Sequence, residues 1–222
     1  LQLDIEYFLK ERTKFIRYFY ETSSGPFIKT MADIEDEVEP YVPPYSEDSE
    51  PAFLIEWINA KSALETCGLH ALSMLSSSLQ LYLKAWVSRL ESYHGMSFKV
   101  DFKTKGWLNG YCQIFNQCGL EMELCPADLS LIEQVTLARN RAQHPDHLTS
   151  VSIYHSKKDL EKYPNPYFAQ ETEKQMVLEG SDINWLFPPI ISPDKDKVFQ
   201  SVSNVESLCS WLESEYWSAR NA

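Results

Sequence analysis

The stretch Leu64-Glu65-Thr66-Cys67-Gly68-Leu69-His70-Ala71-Leu72-Ser73-Met74-Leu75-Ser76-Ser77-Ser78-Leu79-Gln80-Leu81-Tyr82-Leu83-Lys84-Ala85-Trp86 decides the fold. Leu64, Cys67, Gly68, Ala71, Leu75, Leu79, Tyr82 and Trp86 recur at steps of three and four residues, the period that sets side chains on one face of an α-helix. The pattern extends over residues 52–93, and a helix that long with an apolar stripe needs other helices against it. Gly68, Ala71 and Ser78 keep the stripe low, which lets a neighbour approach closely. Gly68 is also a point at which the helix could kink and divide in two.

The flanking sequence supplies those neighbours. Over residues 3–22, Phe8, Arg12, Phe15, Ile16 and Phe19 follow helical spacing, and Gly25-Pro26 marks a stop. Residues 106–118 carry Trp107, Leu108, Tyr111, Ile114 and Phe115 at the spacing of a shorter helix. The next helix starts near Cys125-Pro126-Ala127-Asp128-Leu129-Ser130, with Pro126 in its first turn or with Ser130 and Glu133 as a capping box. It runs to about His144, with Leu131, Val135, Ala138 and Ala142 on one face. A C-terminal helix over residues 203–220 opens on Ser203 and Glu206 as a capping box. Its apolar face holds Val205, Leu208, Cys209, Leu212 and Tyr216. Between these two helices, residues 149–200 lose periodicity and hold Pro164, Pro166, Pro188, Pro189 and Pro193. There Val151-Ser152-Ile153-Tyr154 and Met176-Val177-Leu178 read as small strands. The expectation is a single domain over 1–222, mainly α. It is an up-and-down helical bundle with an extra N-terminal helix, a small irregular or β appendage and a C-terminal helix.

Charge and composition narrow the function classes. The formal net charge is -12. Nucleic-acid binders are usually basic, so this balance counts against RNA or DNA as a partner. The charge is unevenly spread. Between Met31 and Pro51 stand Asp33, Glu35, Asp36, Glu37, Glu39, Glu47, Asp48 and Glu50, with no Lys or Arg. Outside that segment 24 acids face 20 bases, which leaves room for a local cationic site. The Pro-rich acidic segment 31–51 reads as a solvated loop; a sharper reading is a nucleic-acid mimic covering a cationic groove. No apolar run approaches the roughly 18–20 residues that cross a bilayer, so no membrane association is expected. Leu1-Gln2-Leu3-Asp4 lacks the pattern of an export signal. Cys67, Cys112, Cys118, Cys125 and Cys209 are odd in number and form no C-x-x-C, which suits reduced thiols in the cytoplasm and no structural zinc. His144, His147 and His155 have no carboxylate at ligand spacing, so no metal is expected. No phosphate-cradling glycine loop, G-x-S-x-G or H-E-x-x-H occurs, and no cofactor is expected.

Chemistry concentrates in Leu137-Ala138-Arg139-Asn140-Arg141-Ala142-Gln143-His144, followed by Pro145. Arg139 is a permanent planar cation suited to phosphate, and His144 brings the one side-chain type whose unperturbed titration lies near neutrality. Such a pair can cleave a phosphodiester without a metal, one group moving protons while the other stabilises charge on phosphorus. Asn140 and His144, four residues apart, share a helix face. Arg139 and His144 are about 140° apart around the axis, so they converge only through a long side chain, a distorted last turn or a second copy. Arg141 is a further candidate for RNA phosphate, and His147 for proton transfer.

Arg139-Asn140-x-x-x-His144 resembles the R-N-x-x-x-H form of the R-x4-6-H motif of HEPN domains, and the helix order over residues 52–148 is similar to the HEPN four-helix bundle. The resemblance implies a metal-independent endoribonuclease of toxin–antitoxin, phage-defence or RNA-processing type. It implies a homodimer with a composite cleft, and an antitoxin or defence-system protein as a further partner. His144 would handle protons, Arg139 would bind the scissile phosphate and Asn140 would orient the site. The ribose 2′-hydroxyl would attack phosphorus and leave a cyclic phosphate. Some HEPN toxins carry a modifiable tyrosine two residues after the histidine; here that residue is Asp146. The alternative is a non-catalytic helical dimerisation or interaction module, with Arg139 and Arg141 as ordinary last-turn cations and His144 as a cap.

Overall fold

A computed structural model describes residues 4–45, 50–100, 102, 106–144, 152–178 and 188–221. The architecture is mainly helical. In chain order the helices are α1 (Ile5–Glu35), α2 (Leu54–His94), α3 (Trp107–Gln117), α4 (Leu129–Gln143), α5 (Lys157–Lys162), α6 (Glu171–Leu178) and α7 (Lys195–Asn221), with a short 3-10 turn at Met122–Leu124. Helix α2 is the central post: α1, α4 and α7 all pack on it, α7 also contacts α1 and α4, and α4 makes no comparable contact with α1. Leu72, Leu75, Leu79, Leu83 and Trp86 of α2 are sealed in the core, together with Ile16 and Tyr20 of α1, Ile132 and Val135 of α4, and Val202, Val205, Leu208 and Leu212 of α7. The apolar face of α3 joins the same core through Leu108, Tyr111 and Phe115.

The stripe anticipated on α2 is buried from Cys67 to Trp86, and the helix runs unbroken past Gly68. The glycine serves contact rather than bending. A Cβ at Gly68 would lie 2.1 Å from the Pro193 carbonyl oxygen and 2.8 Å from the Pro193 ring, so the segment entering α7 lies directly on α2. Tyr82 ties the two helices again, its buried hydroxyl donating to the Cys209 carbonyl at 3.0 Å.

Helix α1 departs from its sequence reading in two ways. It passes through Gly25-Pro26 and ends at Glu35, so the acidic segment begins in helix. Pro26 leaves the Thr22 carbonyl without its helical donor, and Thr22 is exposed. The far end is held by Trp57, whose Nε1 donates to Glu35 at 2.8 Å. The buried face is also rotated. Ile5, Leu9, Thr13, Ile16, Tyr20 and Ser24 point inward, whereas Phe8, Arg12 and Phe15 are exposed. Thr13 can be buried because its hydroxyl donates to the Lys10 carbonyl within the helix. Arg17 then fastens α1 to α7, donating to Glu206 at 2.8 and 3.2 Å and to Ser203 at 2.9 Å.

The other corrections concern caps and strands. The N-cap of α4 is Asp128, whose carboxylate accepts from the Leu131 N–H at 3.1 Å, in place of Pro126 or a Ser130–Glu133 box. Helix α7 begins eight residues before Ser203, with Asp194 accepting from the Lys197 N–H at 2.8 Å, so Ser203 and Glu206 are free to receive Arg17. The appendage is built around α5 and α6. Met176-Val177-Leu178 lies in α6 and not in a strand. Among the described residues, β structure is limited to the isolated antiparallel bridges Tyr154–Ile190 and Ala169–Ile191. Residues 46–49 of the acidic segment lie outside the described residues.

The Gly68–Pro193 contact gives a direct test. Gly68→Ala must push Pro193 off α2, and overpacking of this kind costs about 1–3 kcal/mol. Urea unfolding should show a lower midpoint for Gly68→Ala than for the parent, with an unchanged slope.

Candidate functional site at the end of helix α4

Helix α4 is fixed at its start by α7. Asn204 accepts from the Asp128 N–H at 2.9 Å and donates to the Asp128 carbonyl at 2.7 Å. Leu131, Ile132, Val135 and Ala138 then drive one face into the core, which leaves the last turn to present polar groups.

Arg139 and Asn140 are brought together there. Both are half-buried, and the Arg139 Nη1 donates to the Asn140 Oδ1 at 3.0 Å. The Arg139 Nε is buried without a hydrogen-bond partner. His144 is the C-cap, with φ -132° and ψ 70°; its backbone N–H still bonds the Asn140 carbonyl, and its side chain is exposed. Arg139 and Asn140 therefore lie near the end of α4 and His144 caps it, five residues and more than one turn beyond Arg139. Among the described residues the imidazole makes no hydrogen bond to the other two. His147 lies outside the described residues.

Arg141 points elsewhere. Its Nε lies 3.5 Å from Asp159 Oδ2, and Asp159 is almost fully buried in the first turn of α5. The same carboxylate closes a capping box, accepting from the Ser156 N–H at 3.2 Å while the Ser156 hydroxyl accepts from the Asp159 N–H at 3.1 Å. Two further contacts run alongside. Glu133 accepts from Tyr163 at 2.7 Å and pairs with Lys162, and Gln134 accepts from the Tyr167 N–H at 2.8 Å. Burial, reinforced by the Glu133 carboxylate, pushes the Tyr163 phenol up, so it remains a donor. The appendage is thus bonded down one side of α4. Sequence reasoning missed this brace, although Ser156-Lys157-Lys158-Asp159 carries a capping-box spacing that signals the start of α5.

Behind Asp159 stands His155, 6% exposed, with its Nε2 lacking a partner. Burial pushes its pKa down to about 4; Lys174 and Lys197 act in the same direction and Asp159 opposes them. Lys197 is itself buried, donating to the Ala169 carbonyl at 2.8 Å, with Glu171 at 3.6 Å and Asp194 at 3.7 Å. The five thiols are free, and burial pushes that of Cys112 up to about 11, away from nucleophilic use. Among the described residues no three His, Cys, Asp or Glu side chains form a cluster that could hold a metal ion, and no helix is long and apolar enough to cross a membrane.

Comparison with protein-family models, with curated proteins and with solved structures finds no match to this chain.

The buried histidine makes stability depend on pH. In the folded chain His155 stays neutral to about pH 4, whereas an unfolded histidine takes up a proton near its ordinary 6.5. Between those values the unfolded state binds the extra proton, so stability falls as pH falls. The full span is worth about 3 kcal/mol at 1.36 kcal/mol per pKa unit. Urea unfolding at pH 7 and pH 4 should show a smaller acid loss for His155→Gln than for the parent; equal losses would remove His155 as the cause.

Proposed function

We propose that this chain is a metal-independent endoribonuclease of HEPN type, acting through Arg139, Asn140 and His144. One observation carries the reading: a guanidinium held to a neighbouring amide, and an exposed imidazole on the cap that follows, stand together at the end of an anchored helix. That grouping supplies a phosphate-binding cation and a proton carrier in one accessible place.

The chemistry follows from those groups. Arg139 binds the non-bridging oxygens of the scissile phosphate and stabilises the charge that grows on them as phosphorus becomes five-coordinate. Its hydrogen bond to Asn140 restricts the guanidinium to one orientation, so less of its freedom is lost on binding. The imidazole of His144 takes the proton of the ribose 2′-hydroxyl. The 2′-oxygen forms a bond to phosphorus, the bond to the 5′-oxygen breaks, and a 2′,3′-cyclic phosphate and a 5′-hydroxyl result. The leaving oxygen needs a proton, and each chain contributes one such histidine at this turn. A homodimer that faces two motifs provides base and acid together. Arg141 has less to give RNA, because binding a phosphate would compete with its pairing to Asp159. The chain's net charge of -12 makes the Arg139 end of α4 a local attraction in an otherwise repulsive field. An antitoxin or defence-system partner would act by covering that end.

Labelled single-stranded RNA and tRNA, incubated in EDTA, test the reading. The parent should cut and leave cyclic phosphate ends, and His144→Ala should lose activity by about 100-fold or more, the scale of general acid–base catalysis. Replacing the 2′-hydroxyl at the cut site by hydrogen should abolish cleavage. No cutting by the parent, or equal cutting by His144→Ala, would favour the non-catalytic interaction module.

A further inference from the structure

Four aromatic side chains on the first half of α1 remain exposed although the helix has a well-covered inner face: Tyr7, Phe8, Phe15 and Tyr18, each at least half exposed. Phe8 and Phe15 border an apolar groove of about 570 Å³ between α1 and α2, with Ser73, Met74 and Ser77 on its α2 side. Leu81, also 52% exposed, extends the same surface toward a second groove shared by Phe8 and Arg12. Glu11 and Arg12 lie between the two phenylalanines. Both are exposed, and among the described residues neither side chain has an ion-pair or hydrogen-bond partner.

We infer that this face binds a second copy of the chain, with the α1 helices antiparallel about a two-fold axis between residues 11 and 12. The order of side chains identifies the occupant. Phe8, Glu11, Arg12 and Phe15 read aromatic, acid, base, aromatic, and the arrangement is self-complementary under a two-fold rotation. Antiparallel pairing centred there puts Glu11 of each copy against Arg12 of the other, and Phe8 against Phe15. An isologous interface requires this reciprocity, residue i meeting j and j meeting i. The small Ser73 and Ser77 leave space for the incoming rings. Phe8, Phe15 and Leu81 supply the exposed apolar area of this face, and the stems of Glu11, Arg12 and Met74 extend it.

This contact is separate from the motif, because α1 makes no comparable contact with α4, and it does not rest on the nuclease reading. Where the motif ends also pair, the two contacts close into a four-chain assembly if their two-fold axes meet at a right angle.

The full chain should be weighed by sedimentation equilibrium or light scattering at tens of micromolar, with circular dichroism to check folding. Arg12→Glu sets two acids against two acids across the axis. It should halve the mass, with the dissociation constant raised about tenfold or more. The paired exchange Glu11→Arg with Arg12→Glu restores both ion pairs and should restore the parent mass. A monomeric parent, which would leave the groove to some other partner, overturns the inference. So does an Arg12→Glu protein that keeps the parent mass, or a double exchange that fails to restore it. RNA cleavage reads the other proposal independently, so the two can fail separately.

Discussion

The packing around α2 is the constraint on which the other elements depend. By helical period, Leu69 and Ser78, both buried, lie about 180° apart around its axis, so half the circumference is withdrawn from water. A single neighbouring helix covers a stripe of about 100°. More than one helix must therefore converge on the post, and α1, α4 and α7 do so. Each buried leucine contributes about 1.5–3 kcal/mol, and the close approach at Gly68 lets the chain entering α7 take part. Tyr82 and Arg17 are paired across these interfaces, to the Cys209 carbonyl and to Glu206 and Ser203, whereas the buried Nε1 of Trp86 has no hydrogen-bond partner.

Polar bonds, rather than apolar burial alone, fix the appendage to the motif helix. Ser130, Gln134 and Arg141 fall within about 40° of one another on α4, and Gln134 and Arg141 both meet the segment around α5. Asp159 serves Arg141 and its own helix cap with one carboxylate, which saves a second buried charge. Such a pair costs desolvation on both sides and adds little net stability, but removing one member leaves the other uncompensated. Its contribution is geometric. It ties the last turns of α4 to a segment that the core holds elsewhere through Phe168 and Ile191.

The main helices and their stacking were legible because α2, α3, α4 and α7 carry apolar spacing strong enough to name their buried faces. The face of α1 was not, and the reason is physical. Hydrophobicity favoured Phe8 and Phe15, yet the fold buries Thr13 and Ser24, and Thr13 at least satisfies its hydroxyl on its own helix. Pro26 removes one hydrogen bond inside α1, and the carbonyl it frees belongs to exposed Thr22. Local rules for caps lost to residues two or more positions away: Asp128 holds the start of α4 because Asn204 of α7 is there to receive its backbone. At the motif, the sequence placed Arg139, Asn140 and His144 at the end of one helix, with Asn140 and His144 on a shared face. It carried no signal that Arg141 would turn to Asp159, since that pairing depends on where α5 docks.

Arg139 illustrates how these layers meet. Its helix is gripped at the start by α7, packed along one side on α2 and bonded along another to the appendage. The backbone that carries the guanidinium therefore has little freedom, and the bond to Asn140 removes more. In the proposed role, a charged group held in this way would meet a phosphate with most of its orientational cost already met in folding. The buried Nε without a partner fits the same arrangement: one donor of the guanidinium is left unsatisfied while the head keeps its direction. His144 is the opposite case, an exposed cap on the last turn, with the access that a proton carrier needs and a position set by the same rigid helix.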